Sequence, residues 1–285
     1  MALMSPRALL RLHALHPQKR LGQNFLSDPS IAQMIVNRSG VCQEDVVVEI
    51  GPGLGALTLP LAQAVQSVIA IEKDHRLAEA LKDELQAAGV SNVQLVEADV
   101  LDIDWAGLCR QAGRPLTVFG NLPYNISSQI VIRLIESRRH VPRAVLMFQR
   151  ELAVRLTAPP GGRDYGRITA MLAYCAAVKQ LCRVRAGAFH PVPKVDSEVL
   201  EIRFAPPRAD PPHDEARLFK LIAAAFGKRR KTLRNALSAS GLSISPGLAA
   251  RALEQAGIDP ARRAETLSAA EFVALEISLR RLMPE

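Results

Sequence analysis

Short apolar runs recur through the first half of the chain, and segments of helical length separate them. Each run is rich in valine, isoleucine or leucine, which predicts a strand buried on both faces. Strands that alternate with helices form a parallel sheet covered on both sides, with ligands at the carboxyl ends of the strands. The predicted strands are Val46–Ile50, Val68–Glu72, Val93–Val96, Leu116–Phe119 and Ala144–Phe148.

The pattern changes after residue 166. The sequence predicts one more helix at Ile168–Val178, and then two late strands at Gln180–Val184 and Glu198–Phe204. The segment that follows, Ala205–Pro212, contains four prolines in eight residues, which is typical of a stiff linker.

The linker divides the chain into two expected domains. Residues 21–207 carry the strand pattern, and residues 208–285 read as helices broken at glycines and prolines. Residues 1–20 contain Arg7, Arg11 and two further cations but no acid. We expect this stretch to be a flexible basic arm, and a weak organelle-targeting segment is the alternative.

A glycine-rich turn follows the first strand. Residues 51–55 read Gly-Pro-Gly-Leu-Gly, and a helix-compatible apolar pattern begins at Ala56. Glycines at a strand-to-helix turn let the backbone approach a ligand and direct helix N–H groups at it. Gly51, Gly53 and Ala56 also satisfy the pattern of a nicotinamide-binding turn, so the turn alone does not separate the two cofactor classes.

Acidic residues end the next two strands. Glu72 lies about 20 residues beyond the glycines, where a carboxylate binds a ribose diol in dinucleotide sites. This position fits NAD and S-adenosylmethionine equally. Asp99, which ends the third strand, could accept a hydrogen bond from an adenine amino group. The further acid favours S-adenosylmethionine.

The four residues Asn121-Leu122-Pro123-Tyr124 follow the fourth strand and its turn glycine. The exocyclic amine of adenine is a poor nucleophile because its lone pair is delocalised into the ring. The Asn121 carbonyl and a nearby backbone carbonyl could each accept one N–H and localise that lone pair. The Tyr124 ring could stack on the base. The motif therefore predicts methyl transfer to adenine N6.

These motifs together resemble the ribosomal RNA adenine dimethyltransferase family, whose bacterial member dimethylates two adjacent adenosines near the 3′ end of small-subunit rRNA. The resemblance covers the chain from about Lys19 to the C-terminus. It implies a Rossmann-like class I methyltransferase sheet with a smaller C-terminal helical domain. It rests on four blocks, which are residues 23–26, 49–55, 121–124 and 189–197.

The resemblance also implies which residues bind the methyl donor. Asn24 and Leu26 would contact S-adenosylmethionine from the N-terminal segment, and Gly51 would lie beside its methionine part. Glu72 would bind the ribose hydroxyls and Asp99 the adenine amine.

The same resemblance assigns roles on the acceptor side. Asn121 would lie between the donor and the target base, Tyr124 would stack on the target adenine, and Phe189 would close its opposite face. No metal is expected, because the sulfonium of the donor is already a strong electrophile.

Charge points to a polyanionic partner. The chain has 36 Lys and Arg against 28 Asp and Glu, a net charge of +8, while only 4% of its residues are aromatic. Recognition of RNA should therefore depend on charge and shape rather than on a broad stacking surface. A dense basic cluster follows an apolar helix predicted at Leu218–Phe226, and we expect it to contact phosphates. The cluster consists of Lys228, Arg229, Arg230, Lys231 and Arg234.

The four cysteines lack metal-binding or disulfide spacing, which favours a reducing compartment, and we expect a cytoplasmic protein. No apolar run is long enough to span a bilayer, so no membrane partner is expected. The expected partners are small-subunit rRNA and an assembling small ribosomal subunit, bound by a monomer.

Three other functions remain open from the sequence. An antibiotic-resistance type of enzyme would methylate large-subunit rRNA on the same fold. A ribosome-assembly or transcription factor would keep the fold without catalysis. A nicotinamide oxidoreductase would leave the Asn-Leu-Pro-Tyr block unexplained.

Overall fold

The computed structural model describes residues 4–18, 22–205, 214–228 and 230–283. Strands in this part of the chain form one seven-stranded sheet and one two-stranded ribbon. The strands are β1 Phe25–Leu26, β2 Val46–Ile50, β3 Ser67–Glu72, β4 Val93–Glu97, β5 Thr117–Asn121, β6 Arg143–Gln149, β7 Ala176–Val184, β8 Phe189–His190 and β9 Ser197–Phe204.

The large sheet has the order β4-β3-β2-β5-β6-β9-β7. Strands β2 to β6 run parallel to one another, whereas β9 runs antiparallel to its neighbour β6. After β2 the chain places β3 and β4 on one side of that strand and then returns to place β5 on its other side. In open α/β sheets, ligands bind at such a switch point. The predicted mostly parallel α/β architecture is confirmed.

Helices alternate with the strands, as the sequence predicts. They are α1 Pro6–Leu12, α2 Pro29–Ser39, α3 Thr58–Ala64, α4 His75–Ala87, α5 Trp105–Ala112, α6 Ser127–Glu136, α7 Arg150–Leu156, α8 Arg167–Cys175, α9 Glu215–Phe226, α10 Leu233–Ser238, α11 Pro246–Gln255 and α12 Ala269–Leu282. Among these helices, none combines the length and the apolar character that crossing a bilayer requires.

The described residues form two compact units. The first draws on Met1–Ala153 and Ala177–Pro206, and the second on Val154–Ala176 and Pro207–Glu285. The sequence assigned residues 21–207 to the α/β domain, and the second unit differs from that assignment by taking in Val154–Ala176. The predicted linker at 205–212 lies outside the described residues except for its first residue.

Aromatic packing explains why α8 and the loop before it group with the helical unit. The Tyr165 ring is buried 6.1 Å from the Phe226 ring of α9, and Phe226 lies 6.1 Å from Phe272 of α12. The Tyr174 hydroxyl donates to Glu215 Oε1 at 2.8 Å. The helix predicted at Ile168–Val178 is too long, because the chain becomes strand β7 from Ala176.

The N-terminal residues also differ from the prediction. The Ser5 hydroxyl caps α1 by accepting from the Ala8 N–H, and Pro6 occupies the first helical turn. Leu9 and Leu10 are buried in a cluster with Leu54 of the glycine turn. The prediction of a flexible arm is therefore wrong for this helix. Residues 1–3 and 19–21 lie outside the described residues.

Candidate functional site

A cavity opens at the carboxyl ends of the strands on either side of β2. Its wall comes from the N-terminal segment 22–26, the glycine turn 49–54, the end of β3 at Glu72, residues 98–100, and residues 121–126. Five of the predicted donor contacts line this cavity together with Tyr124. They are Asn24, Leu26, Gly51, Glu72 and Asp99.

The glycine turn is shaped by backbone conformations that other residues rarely adopt. Gly51 has φ +64° and Gly53 has φ +58°. A Cβ on Gly53 would lie 3.1 Å from the Phe25 ring, so the N-terminal segment packs directly on the turn. A Cβ on Gly51 would meet no described atom within 4 Å. The bare backbone there gives a ligand room to approach.

Glu72 is nearly buried and is held by backbone donors. Its Oε1 accepts from the Lys73 and Asp74 N–H groups, each at 2.9 Å, and its Oε2 accepts from the Gly53 N–H at 3.2 Å. Burial raises the pKa of Glu72, and the three N–H donors oppose that shift by stabilising the charged form. These bonds fix the carboxylate at the edge of the cavity.

Glu49 lies in the same wall but is held differently. It is 1% exposed, and Oε2 has no hydrogen-bond partner among the described residues. Burial raises the pKa of Glu49 to about 8, and the negative charge of Glu72 adds to the shift. The nearby Thr58 hydroxyl partly opposes this rise in the pKa of Glu49, although the two groups do not meet the geometry of a hydrogen bond.

Asp99 is paired with a cation that sequence reasoning missed. Lys73 Nζ lies 2.5 Å from Asp99 Oδ2, while the Leu101 N–H donates to Asp99 Oδ1 at 3.0 Å. The Lys73 contact is the main reason why the pKa of Asp99 is lowered. Lys73 directly follows Glu72 in the chain, so the end of β3 supplies both an acid and a cation to this wall.

Asn121 is fixed by the N-terminal segment. Its Nδ2 donates to the Asn24 carbonyl at 2.9 Å, which commits the NH2 group and leaves Oδ1 as the acceptor. Gly120 precedes it at a point where β5 and β2 are in close contact. A Cβ on Gly120 would lie 2.9 Å from the Ile50 carbonyl oxygen, so this position suits only glycine.

Tyr124 lies at the acceptor end of the cavity. Its ring is half-buried, and burial raises the pKa of its hydroxyl. That hydroxyl lies beside Ser197, at a geometry outside a hydrogen bond. The turn that carries Tyr124 is closed by Ser127, whose hydroxyl donates to the Pro123 carbonyl at 2.7 Å.

Phe189 does not line the cavity. It is 2% exposed and packs in the core cluster that contains Leu26 and Ile35. Its backbone contributes instead, since Phe189 pairs with Leu26 and His190 with Phe25 in the two-stranded ribbon. The ribbon holds the N-terminal segment against the cavity.

The predicted basic cluster belongs to the helical unit. Lys228, Arg230, Lys231 and Arg234 are exposed, and Arg229 lies outside the described residues. The Lys231 N–H donates to the Lys228 carbonyl at 2.8 Å, so the cluster occupies a turn between α9 and the start of α10.

A second set of titratable groups lies away from the cavity wall. His75, Glu79 and Glu97 are exposed, and their potential metal-ligand atoms lie within 4.8 Å of one another. His75 Nδ1 is 2.9 Å from Glu97 Oε2, and this contact raises the pKa of His75. The Glu97 carboxylate therefore favours the protonated form of His75.

The composition of the cavity restricts its ligand. Glu72 and Asp99 give it negative character, while its floor is glycine backbone. Such a wall suits a ligand with positive charge, a diol and a flat ring carrying an amino group. Asn121 and Tyr124 at the other end add an amide acceptor and an aromatic face. The arrangement fits a cationic nucleoside next to a second base.

The comparisons with known proteins agree with this geometry. The family model for ribosomal RNA adenine dimethylase matches residues 15–281. A ribosomal RNA small subunit methyltransferase A from Desulforapulum autotrophicum is 49% identical over 96% of both chains. One from Magnetococcus marinus is 44% identical over 94% of both chains.

Solved structures show the same relationship. A dimethyladenosine transferase from Plasmodium falciparum has a TM-score of 0.73 and 26% identity, covering 88% of this chain and 95% of that one. The 23S rRNA methyltransferase ErmE has a TM-score of 0.64 and 27% identity, covering 90% and 99%. The resemblance, the class I methyltransferase fold, the enzyme class and the methyl donor expected from the sequence are confirmed. The chain belongs to the ribosomal RNA adenine dimethylase family and is an S-adenosylmethionine-dependent rRNA adenine dimethyltransferase.

Proposed function

We propose that this enzyme dimethylates N6 of two adjacent adenosines near the 3′ end of small-subunit (16S) rRNA, during assembly of the small ribosomal subunit in the cytoplasm. Relatives named for the small subunit share up to 49% identity with it, whereas the 23S enzyme ErmE shares 27%. This difference favours the small subunit over the large one.

On the donor side, the proposal assigns one group of the ligand to each polar residue. Glu72 accepts from the ribose hydroxyls, and Asp99 accepts from the adenine amine after Lys73 moves aside or shares the carboxylate. Asn24 and Leu26 contact the donor from the N-terminal segment, and Gly51 lies beside its methionine part. S-adenosylmethionine supplies a methyl group on an electrophilic sulfonium.

On the acceptor side, the observation that carries the proposal is the 2.9 Å bond from Asn121 Nδ2 to the Asn24 carbonyl. Because this bond fixes the amide, Oδ1 is available to accept one N–H of the target amine. The Pro123 carbonyl already accepts from the Ile126 and Ser127 N–H groups and the Ser127 hydroxyl. The Leu122 carbonyl is therefore the better second acceptor.

These two acceptors act on the nucleophile. By accepting hydrogen bonds from both N–H groups they bring the nitrogen lone pair out of conjugation with the ring and aim it at the methyl group. The N–CH3 bond would form as the S–CH3 bond breaks, the neutral thioether would leave, and one N–H proton would be lost to water after each transfer. Tyr124 stacks on the base and keeps that alignment. Catalysis then comes from position and hydrogen bonding, which preorganised groups supply without further reorganisation.

Phe189 has a different role in this proposal from the one that the resemblance implies. Its side chain is in the core, and its backbone holds Leu26 in the ribbon. In this role Phe189 does not stack on the second face of the base. It holds the N-terminal segment whose Asn24 carbonyl accepts from Asn121. The basic cluster in the helical unit contacts rRNA phosphates.

The test is transfer of labelled methyl groups to three substrates, followed by nucleoside analysis. The substrates are naked 16S rRNA, undermethylated small subunits, and 23S rRNA. We expect N6,N6-dimethyladenosine at two adjacent positions in small subunits and little product on 23S rRNA. Tyr124→Ala should weaken use of the small-subunit substrate by roughly 1–3 kcal/mol, the worth of one stacked base. Product on 23S rRNA alone would contradict the proposal.

A further inference from the structure

A short loop between β8 and β9 is flanked by residues that contact the cavity wall. We call residues 191–196, Pro-Val-Pro-Lys-Val-Asp, the valine loop. Just before it, His190 pairs with Phe25, which lines the cavity. Just after it, Ser197 lies next to the hydroxyl of Tyr124, which also lines the cavity. The residues on both sides of the valine loop therefore lie against the wall where the target base is proposed to bind.

The valine loop is held rigidly. Asp196 Oδ1 accepts from the Ala186 N–H at 2.9 Å, and Oδ2 accepts from the Arg183 guanidinium at 2.7 and 3.1 Å. The Asp196 carbonyl also accepts from the Arg150 N–H at 3.0 Å. These contacts lower the pKa of Asp196, the Ala186 N–H having the largest effect, so the carboxylate stays charged. Pro191 and Pro193 restrict the backbone between these anchors.

Despite this rigidity, the valine loop holds two apolar side chains in water. Val192 is 66% exposed and Val195 is 42% exposed. Only three other large apolar side chains among the described residues are as exposed, namely those of Met4, Leu12 and Val154. Asp196 and the two prolines restrict the backbone of the valine loop, which leaves it little freedom to bury its valines. The two valines are therefore positioned for a contact outside the protein chain.

Charge around the valine loop identifies the partner. Lys194 is exposed between the two valines, and Arg183 and Arg185 are exposed on the adjacent strand and turn. The same small surface thus offers an apolar tip flanked by cations, which matches the base and phosphate of one nucleotide. Apolar side chains that insert beside bases unstack them in several nucleic-acid complexes. No aromatic ring lies in the loop, so contact is by packing rather than by stacking.

We propose that the valine loop binds the nucleotide adjacent to the target adenosine and keeps it unstacked while the target occupies the cavity. Val192 and Val195 pack on its base or ribose, and Lys194 contacts its phosphate. This inference rests on the proposed function, because it takes the partner to be rRNA. For two adjacent adenosines, the nucleotide on the valine loop is the other member of the pair.

The test uses an rRNA hairpin in which the adenosine next to the target is replaced by 2-aminopurine, whose fluorescence rises when it is unstacked. Binding of the wild-type protein should raise the fluorescence, and V192S/V195S should bind the hairpin with a much smaller rise. The matched control is M4S/L12S, which changes two exposed apolar side chains of the N-terminal segment and should behave as the wild type.

Methylation is measured in the same samples with an unmodified hairpin. V192S/V195S should lower kcat/KM for RNA by roughly 10- to 100-fold, since unstacking costs a few kcal/mol, with the donor Kd and Tm unchanged. A wild-type protein that binds without a fluorescence rise, or a loop variant that matches the control, would overturn the inference. If the wild-type protein gave a normal fluorescence rise but no methylation at all, this result would instead contradict the proposed function.

Discussion

The two sides of the cavity differ in charge. The donor side, at the ends of β3 and β4, presents Glu72 and Asp99. The acceptor side presents Asn121 and Tyr124, which are both uncharged at neutral pH, and burial raises the pKa of the Tyr124 hydroxyl further above its usual 10. A cationic donor and a polyanionic RNA need opposite surroundings. The fold meets both needs by placing its carboxylates on the strands away from the acceptor motif.

The two sides also differ in how their polar groups are held. The Glu72 carboxylate is held by the Lys73 and Asp74 N–H groups directly after it and by the Gly53 N–H of the glycine turn. Asn121 depends on the Asn24 carbonyl, which is distant in sequence. Glu72 is therefore held by the turns of the sheet itself, whereas Asn121 needs the N-terminal segment and the ribbon in place. Four variants test this comparison.

The largest effect should come from Asn121→Ala. Loss of Oδ1 removes one acceptor for the target amine, and loss of one preorganised hydrogen bond at a reacting centre costs roughly 10²–10³-fold in rate. Single-turnover rates at saturating RNA and donor measure this effect, and the donor Kd should change little. Asn37→Ala, on the exposed face of α2, is the control. A variant at the wild-type rate would remove the amide from the mechanism.

Glu49→Gln should change stability rather than rate. In the folded protein burial raises the pKa of Glu49 to about 8 from its usual 4.5. The stability associated with its protonated form is complete below pH 4.5 and is lost as the pH rises towards 8. The wild type should therefore be less stable than the variant by about 3 kcal/mol at pH 7.

Urea unfolding at pH 4.5 and pH 7 measures this difference. The two proteins should be nearly equal in stability at the lower pH. Asp83→Asn, which changes a mostly exposed acid on α4, is the control and should show no comparable trend. An equal difference at both pH values would mean that Glu49 is charged in the folded protein throughout.

Glu72→Gln tests the donor side alone. Removing the charge from a hydrogen bond to the ribose should weaken S-adenosylmethionine binding by roughly 1.5–3 kcal/mol. Calorimetry gives the donor Kd, and RNA binding is titrated in parallel. RNA affinity should remain at the wild-type value, because this carboxylate lies on the donor side. Unchanged donor affinity would place the ribose elsewhere.

The smallest effect concerns the helical unit. Replacing the five residues of the basic cluster by Gln should flatten the slope of log affinity against log salt by about 1.5–2.5, if two or three of them contact phosphates. Donor affinity should stay the same. The control replaces Lys82 and Arg139, two exposed cations of the other unit. Parallel slopes for cluster variant and wild type would show that RNA binds elsewhere.

Much of the α/β sheet could be predicted because its strands are buried on both faces. Val46–Ile50 is fully buried, and the sequence predicts β2 with the observed bounds. The predicted bounds of β3 to β6 differ from the observed ones by at most two residues. Continuous runs of apolar residues carry this information locally. The residues after each strand then identify the cavity, because parallel strands end at one edge.

What the sequence did not predict depends on distant contacts or on unusual burial. Leu9 and Leu10 are buried because they pack with residues distant in sequence, such as Leu54 and Leu77, although Ser5 and Pro6 could have indicated a helix start. The sequence places Glu49 in a strand but does not predict that its carboxyl group is buried, which is what raises its pKa. Phe189 was assigned to the base by its motif, and its side chain packs in the core instead.

The two-stranded ribbon has a consequence for synthesis of the chain. Phe25 and Leu26 leave the ribosome early, but their partners, Phe189 and His190, emerge only after most of the chain has been made. Strands β2 to β6 can pair before then, since domains fold as their residues appear. The Asn24 carbonyl cannot settle against Asn121 until the ribbon closes. A nascent chain halted before residue 189 should therefore have the glycine turn and Glu72 in place but lack the ribbon that holds Leu26 and the Asn24 carbonyl, and it should be inactive.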